Sequence, residues 1–287
     1  MEFYTCKNDK CFKCIFLNPD NQDLLSLIIR ETTLNEYSDI KYCNIERNIN
    51  MAIRRKYLDV LLNSNEAIIG IEVNGFNKKY VRPRNTSFIC DCYSNYTLVN
   101  KEYTEDKNII QINFSYGIKG NTPIRKYMIM DKDKKTFVKN FIIYEVNMDY
   151  CLQFWYNRNK QEVDKEEYLK NIIKYRYYIM LSLNLKELKE LINLTKDERI
   201  MKYMEELKKV NNNSKFREYI TEEQDKEFIL NSVRHEGEKR GEKIGEARGE
   251  KNGILKTAKN MLKEKFSIET ISKVTGLSLS QIKSITL

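Results

Sequence analysis

Residues 56 to 76 read KYLDVLLNSNEAIIGIEVNGF. Asp59 sits in one apolar run and Glu72 in the next, with a polar turn between them and Asn74 two residues beyond Glu72. On a strand Ile69, Ile71 and Val73 point one way, and Gly70, Glu72 and Asn74 the other. Asp59 shares a face with Leu61, and folding the hairpin at residues 64 to 66 brings it near residues 70 to 72. Diagonal neighbours on two strands lie ~7–8 Å apart or less. Two carboxylates that close repel each other unless a cation compensates. Mg²⁺ (or Mn²⁺) suits such a pair, because it takes oxygen ligands and keeps positions for water and phosphate. There it polarises a phosphate and lowers the pKa of a bound water. The chemistry would be phosphodiester hydrolysis without a histidine. The alternative from the residues alone is that both acids face solvent and pair with Arg54, Arg55 or Lys56.

The surrounding text must position these acids. Residues 57 to 63 and 67 to 74 read as strands around the turn NSNE. Residues 20 to 33, DNQDLLSLIIRETT, carry helical periodicity behind an Asp/Asn start. RNTSFICDCYSNYTLV (84 to 99) reads as a helix with an aromatic face, and NIIQINFSYG (108 to 117) alternates like a strand. RKYMIMD and FIIYEVNM read as two more strands. From about residue 160 the pattern is helical and Lys/Glu-rich, and no proline follows Pro123. The expected fold class is α/β, a mixed sheet flanked by helices, followed by an α-helical C-terminal region.

Composition narrows the function classes. The net charge of +9 favours a polyanion partner. Within that excess, Lys78, Lys79, Arg82 and Arg84 lie close behind the acid pair, and KKYVRPR interleaves cations with Tyr80, as suits a backbone-contacting edge. A solvated loop is the alternative for that stretch. The single histidine, His235, lies in a charged, glycine-punctuated segment, which argues against His-metal nucleases and Ser-His-Asp or Cys-His hydrolases. Seven cysteines, an odd number, argue against a disulfide framework. Cys11 and Cys14 form a CxxC, but Phe12, Ile15 and Phe16 beside them have helical spacing, so small buried hydrophobes compete with a zinc or redox pair. No run reaches the ~18 apolar residues of a membrane helix, and MEFYTCKNDKCFKC lacks signal-peptide shape. The expected location is the cytoplasm, with no membrane partner.

The tail carries EGEKRGEKIGEARGEKNG, with Gly237, Gly241, Gly245, Gly249 and Gly253 every four residues. On a helix these form a slowly drifting stripe. Each glycine costs about 1 kcal/mol against alanine, and Glu–Lys pairs three or four apart return a few tenths. Either another helix packs on the stripe, as in a homo-oligomer through the C-terminal helices, or the segment is a pliable spacer. The last residues, SIETISKVTGLSLSQIKSITL, place Ile271, Val274, Leu277, Ile282 and Ile285 to pack two short helices across TGLS. That spacing suits a helix-turn-helix contacting DNA, or a plain helical hairpin.

An Asp strand, a short hairpin and then Glu-x-Lys on the next strand is the pattern of the PD-(D/E)XK nuclease superfamily. The chain resembles one branch, the PD-(D/E)XK nuclease family transposases, also called recombination-promoting nucleases. NDKCFKCIFLNPDNQDLL, with Asp9, Phe12 and Lys13, resembles the opening helix region of that branch. RRKYLDVLL with IIGIEVNG resembles its Asp strand and Glu-x-Gln strand. KKYVRPRNTSFICDCYSNY resembles the Arg-containing helix segment, and the Gly-Glu-Lys repeats and closing segment resemble the tail of many members. The resemblance spans nearly the whole chain and implies a restriction-endonuclease-like core and a Mg²⁺-dependent DNA endonuclease of mobile elements. It implies Asp59 and Glu72 as metal ligands and Asn74 as the third catalytic position, where the superfamily usually has Lys and this branch often Gln. An amide can hydrogen-bond a water or phosphate oxygen but carries no charge, so Lys56, Lys78, Lys79, Arg82 or Arg84 is expected to supply it. A nuclease fold that binds nucleic acid, or assembles through its tail, without cutting is the alternative. The expected organisation is a nuclease-like domain over 1–158, a helical extension over 159–232, the repeat over 233–256 and a helical hairpin over 257–287.

Overall fold

The structure, a computed structural model, describes residues 2–43, 58–75, 79–96, 98–99, 102–103 and 106–285. Lys56 and Lys78, with Arg54 and Arg55, lie outside the described residues, as does the side chain of His235. Two compact units divide after Arg217.

The first unit is built on a six-stranded mixed sheet in the order β1-β2-β3-β6-β8-β7. Its strands are β1 (Lys41–Tyr42), β2 (Val60–Asn63), β3 (Ala67–Asn74), β6 (Asn108–Ser115), β7 (Ile124–Met130) and β8 (Thr136–Asn147); β4 (Leu98–Val99) and β5 (Glu102–Tyr103) pair apart. β2 and β3 form the expected antiparallel hairpin, with Val60 opposite Ile71 and Leu61 opposite Gly70. β2 begins at Val60, so Asp59 stands just ahead of the strand rather than inside it. β3, β6 and β8 run parallel. β3 is buried along its whole length and β6 nearly so, as expected of central strands covered on both faces.

One face is covered by α3 (Val81–Tyr96), which carries the chain from β3 to β6. It starts and ends three residues earlier than the 84–99 segment read from the sequence. Leu61, Ile68 and Ile109 of the sheet meet its Phe88, Ile89 and Cys92. On the other face α1 (Asp9–Phe16) lays Phe12 against Phe114, whose ring also meets Tyr178 of α5 (Lys165–Met180). Asn8 caps α1 by accepting from the N–H groups of Lys10 and Cys11. Within α1, Cys11, Phe12, Ile15 and Phe16 are buried, whereas Cys14 is exposed. α2 (Gln22–Thr33), α4 (Met148–Asn157), α6 (Leu185–Thr195) and α7 (Glu198–Asn212) complete this unit. The fold class is therefore the mixed α/β arrangement expected, followed by helices to the C-terminus.

α8 spans Ser214–Lys263 and includes the glycine repeat, so that segment is helical. A Cβ placed at Gly237, Gly241, Gly245, Gly249 or Gly253 would meet nothing within 4 Å. α9 (Ile268–Thr275) and α10 (Leu279–Lys283) follow, joined by a turn that begins at Gly276 with φ of 71°. Ser267 caps α9, and Ser278 forms a capping box with Gln281 at α10. Ile271 and Ile282 bury against Ala258 of α8, with Leu277 and Ile285 packed around them. Val274, expected in that core, is 63% exposed. No helix among the described residues is long and apolar enough to cross a membrane.

Candidate metal and phosphate site

Continuing the β2–β3 register one step beyond Val60 and Ile71 sets Asp59 opposite Glu72. Each acid ties down the other's segment. Glu72 Oε1 accepts the Asp59 main-chain N–H at 3.1 Å, and Asp59 Oδ2 accepts the Val73 N–H at 2.8 Å. One oxygen of each carboxylate remains. Asp59 Oδ1 meets Lys13 Nζ of α1 at 2.8 Å, and Glu72 Oε2 meets Arg84 Nη2 of α3 at 3.2 Å. Both acids are buried, at 5% and 3% exposure, so they are not solvent-facing strand residues.

Burial raises the Asp59 carboxyl above its ordinary value, against the pull of Lys13. Burial first, and then the neighbouring Asp59, raise Glu72 well above its own, against Arg84. Lys13 is raised because Asp59 outweighs the opposing effect of burial. The site is thus two acids and two cations, in which each carboxyl meets one cation at the oxygen that no main-chain N–H holds.

Asn74 lies on the same face as Glu72. Its Oδ1 accepts from Arg84 Nη2 at 2.9 Å and from Asn85 Nδ2 at 3.3 Å, while its Nδ2 stands 3.5 Å from Ser115 Oγ. Asn85 also donates to Asn113 Oδ1 at 2.8 Å. Gly70, one alternation back, leaves room for Gln111, whose Oε1 would lie 2.8 Å from an added Cβ.

The remaining cations separate. Arg82 turns away from the acid pair to Glu145, with Nη2–Oε2 at 2.9 Å. Lys79 is exposed. The structure therefore brings Asp59, Glu72, Asn74 and Arg84 together and leaves Arg82 with a different acid. It adds Lys13, Asn85, Asn113 and Glu145, which spacing around the hairpin does not reveal. Part of that signal was present in QINFS, where Gln111, Asn113 and Ser115 alternate with buried apolar residues on a central strand.

A hard divalent cation fits the donor chemistry of the acid pair. Two carboxylates each present one oxygen that no main-chain N–H holds, and Mg²⁺ is commonly bound by one or two carboxylates plus water and phosphate. Among the described residues no group of three or more His, Cys, Asp or Glu is placed to hold a metal, so protein ligands alone would not fill its shell.

Comparison with curated proteins and with solved structures returns no match. Residues 251–286, which contain the end of α8 with α9 and α10, match the family model described as the C-terminal HTH domain of the Rpn/YhgA-like nuclease family.

Proposed function

We propose that the chain is a metal-dependent DNA endonuclease that hydrolyses phosphodiester bonds. The observation that carries this reading is the buried pair Asp59 and Glu72, each with one outward oxygen neutralised by a cation from a different helix. A nuclease family's helix-turn-helix at the C-terminus and the basic net charge support DNA as the substrate.

Asp59 and Glu72 would hold Mg²⁺ or Mn²⁺ through those outward oxygens. When bound, the metal supplies Lewis-acid stabilisation of phosphate charge and lowers the pKa of a bound water. Arg84 supplies the positive charge that Asn74 lacks, because its guanidinium presents donors in a fixed fork suited to phosphate oxygens. Asn74 aims that fork through its carbonyl, and the second N–H of its amide, beside the one directed at Ser115, would orient a water or phosphate oxygen. Lys13 offsets part of the cost of ionising Asp59 in its buried setting.

A second reading rests on the same ion pairs. Lys13 and Arg84 already neutralise both acids, so the pair can persist without metal in a protein that binds nucleic acid and does not cut it. Plasmid nicking with Mg²⁺ separates the two, comparing wild type with Asp59→Ala and Glu72→Ala. The nuclease reading expects a loss of about a hundredfold or more in each variant. Equal activity in all three would sink it, and DNA binding with no nicking would favour the second reading.

A further inference from the structure

Beside the acid pair, on the α3 face of the sheet, lies a separate pocket of about 200 Å³. Its lining combines polar side chains, Arg82, Asn85, Thr86 and Ser115 besides Asn113 and Glu145, with apolar ones. Glu72, Asn113 and Glu145 are register partners on the consecutive strands β3, β6 and β8. Asn113 and Glu145 therefore stand side by side on the pocket floor, about 5 Å apart along the sheet. Val81, Ile143 and the ring of Tyr127 form the walls, and Thr86 of α3 lies at the exposed mouth.

The hydrogen bonds already made define what the floor still offers. Asn113 uses its carbonyl oxygen to accept from Asn85 at 2.8 Å and from Gln111 at 3.2 Å, and its amide N–H groups have no partner among the described residues. Glu145 Oε2 accepts from Arg82 Nη2 at 2.9 Å and from the Tyr127 hydroxyl at 3.1 Å; among the described residues Oε1 accepts only from Arg82 Nε at 3.3 Å. A carboxylate oxygen has about two acceptor positions, so Oε1 keeps one. Asn113 and Glu145 thus present a donor and an acceptor next to each other, beside Val81, Ile143 and the Tyr127 ring, with the Thr86 and Ser115 hydroxyls also on the lining.

Charge decides against a phosphate or carboxylate as the occupant. Arg82 is spent on Glu145, so the pocket has no uncompensated cation. A flat, uncharged heterocycle whose edge carries an acceptor beside an amine fits both floor groups. Cytosine and adenine have that edge, and guanine offers the same pair through its O6 acceptor and N1–H donor. Thymine flanks its N–H with carbonyls, which would face the Glu145 carboxylate. In a duplex this edge is occupied by the pairing partner, so the base must be unpaired, as in enzymes that flip a base into a pocket.

We propose that this pocket takes one unpaired cytosine, adenine or guanine of the strand presented to the acid pair, with Asn113 donating to the ring nitrogen (or to guanine O6) and Glu145 accepting from the exocyclic amine (or from guanine N1–H). The proposal rests on the nucleic-acid reading above and not on cutting. Tyr127, 41% exposed, provides the stacking surface.

The test uses the full chain in EDTA and a labelled duplex with one unpaired cytosine, thymine or abasic residue at the same position, read by fluorescence anisotropy. Wild type should bind the cytosine duplex about tenfold more tightly than the other two, the size of one good base contact. Thr86→Trp, which fills the mouth from an exposed helix position, should lower cytosine binding to the abasic level and leave abasic binding unchanged, whereas Glu145→Gln, which removes the carboxylate and frees Arg82, should shrink the ratio of cytosine to abasic affinity while raising abasic binding. Equal wild-type affinity for the three duplexes, absence of DNA binding, or an undiminished preference in Thr86→Trp would overturn the proposal. Preference without Mg²⁺-dependent nicking would leave the pocket standing and remove the endonuclease reading. Nicking without preference would do the reverse.

Discussion

Arg84 and Asn74 share one hydrogen bond that changes what Asn74 means: Arg84 Nη2 donates to Asn74 Oδ1 at 2.9 Å while remaining 3.2 Å from Glu72 Oε2. A neutral side chain at this position would leave the acid pair without a cation on the α3 side, and the arginine from the helix supplies it. The guanidinium is held by three buried residues, Glu72 and Asn74 of β3 and Asn85 of α3, whose Oδ1 accepts from Arg84 Nε at 3.2 Å.

If Arg84 carries the charge, Arg84→Ala should reduce Mg²⁺-dependent nicking by about a hundredfold, the scale of losing one preorganised electrostatic donor. Arg84→Lys should retain part of the activity, and Asn74→Lys introduced into Arg84→Ala should restore part of it. Steady-state kinetics on a nicking substrate checks this. A loss confined to KM in Arg84→Ala would make Arg84 a binding contact only.

Lys13 makes the only ion pair to the outward oxygen of Asp59 among the described residues. Lys13→Met should leave a buried carboxylate uncompensated and cost about 2 kcal/mol or more in EDTA. A divalent cation bound to the wild-type carboxylates would replace that compensation, so Mg²⁺ should restore much of the lost melting temperature in Lys13→Met. Thermal unfolding in EDTA and in Mg²⁺ measures the difference; an equal deficit in both would argue that no metal reaches Asp59.

Asp197 gives a pH prediction away from the acid pair. Burial alone would raise its carboxyl, but Arg199, Tyr177 and Arg176 donate to it and hold it well below the usual carboxylate range. Their N–H and O–H groups include Arg199 Nε at 2.9 Å and Arg176 Nε at 2.9 Å. A carboxyl lowered in the folded state binds fewer protons there than in the unfolded chain. Its contribution is present above the unfolded value near 4 and is lost as pH falls through the lower folded value. Asp197→Asn keeps an oxygen for the α7 cap but not the charge. It should lower Tm by a few degrees at pH 7 and flatten the decline of Tm between about pH 4 and pH 2. An unaltered acid limb would show that the cluster does not couple to folding.

The glycine stripe predicts an asymmetric result. Because added Cβ atoms at Gly241, Gly245 and Gly249 meet nothing within 4 Å, alanine at each should stabilise α8 by about 1 kcal/mol. Circular dichroism of the full chain should show a higher melting temperature for the helical signal. If the stripe instead packs against a second copy, the triple alanine variant should lose mass in light scattering while its helix signal fails to gain stability.

The hairpin, and with it the approach of Asp59 to residues 70–72, is legible in the local sequence. That relationship is local: strand alternation has a period of two, the turn is short, and together they fix the register. The sequence also carried the closing helices, because Ser267, Gly276 and Ser278 are cap and turn residues whose preferences act within a few positions. Val274 shows the limit of such periodicity, since which apolar positions of a short helix are covered depends on where Ala258 of α8 lies. Which cation serves which acid follows instead from the packing of segments far apart in the chain. Lys13 reaches Asp59 from α1, Arg84 turns to Glu72, and Arg82, two residues away, turns to Glu145. Neighbours in sequence part there because successive helix positions point about 100° apart, and the acids they find belong to β3 and β8, which the chain brings to one face through parallel crossovers.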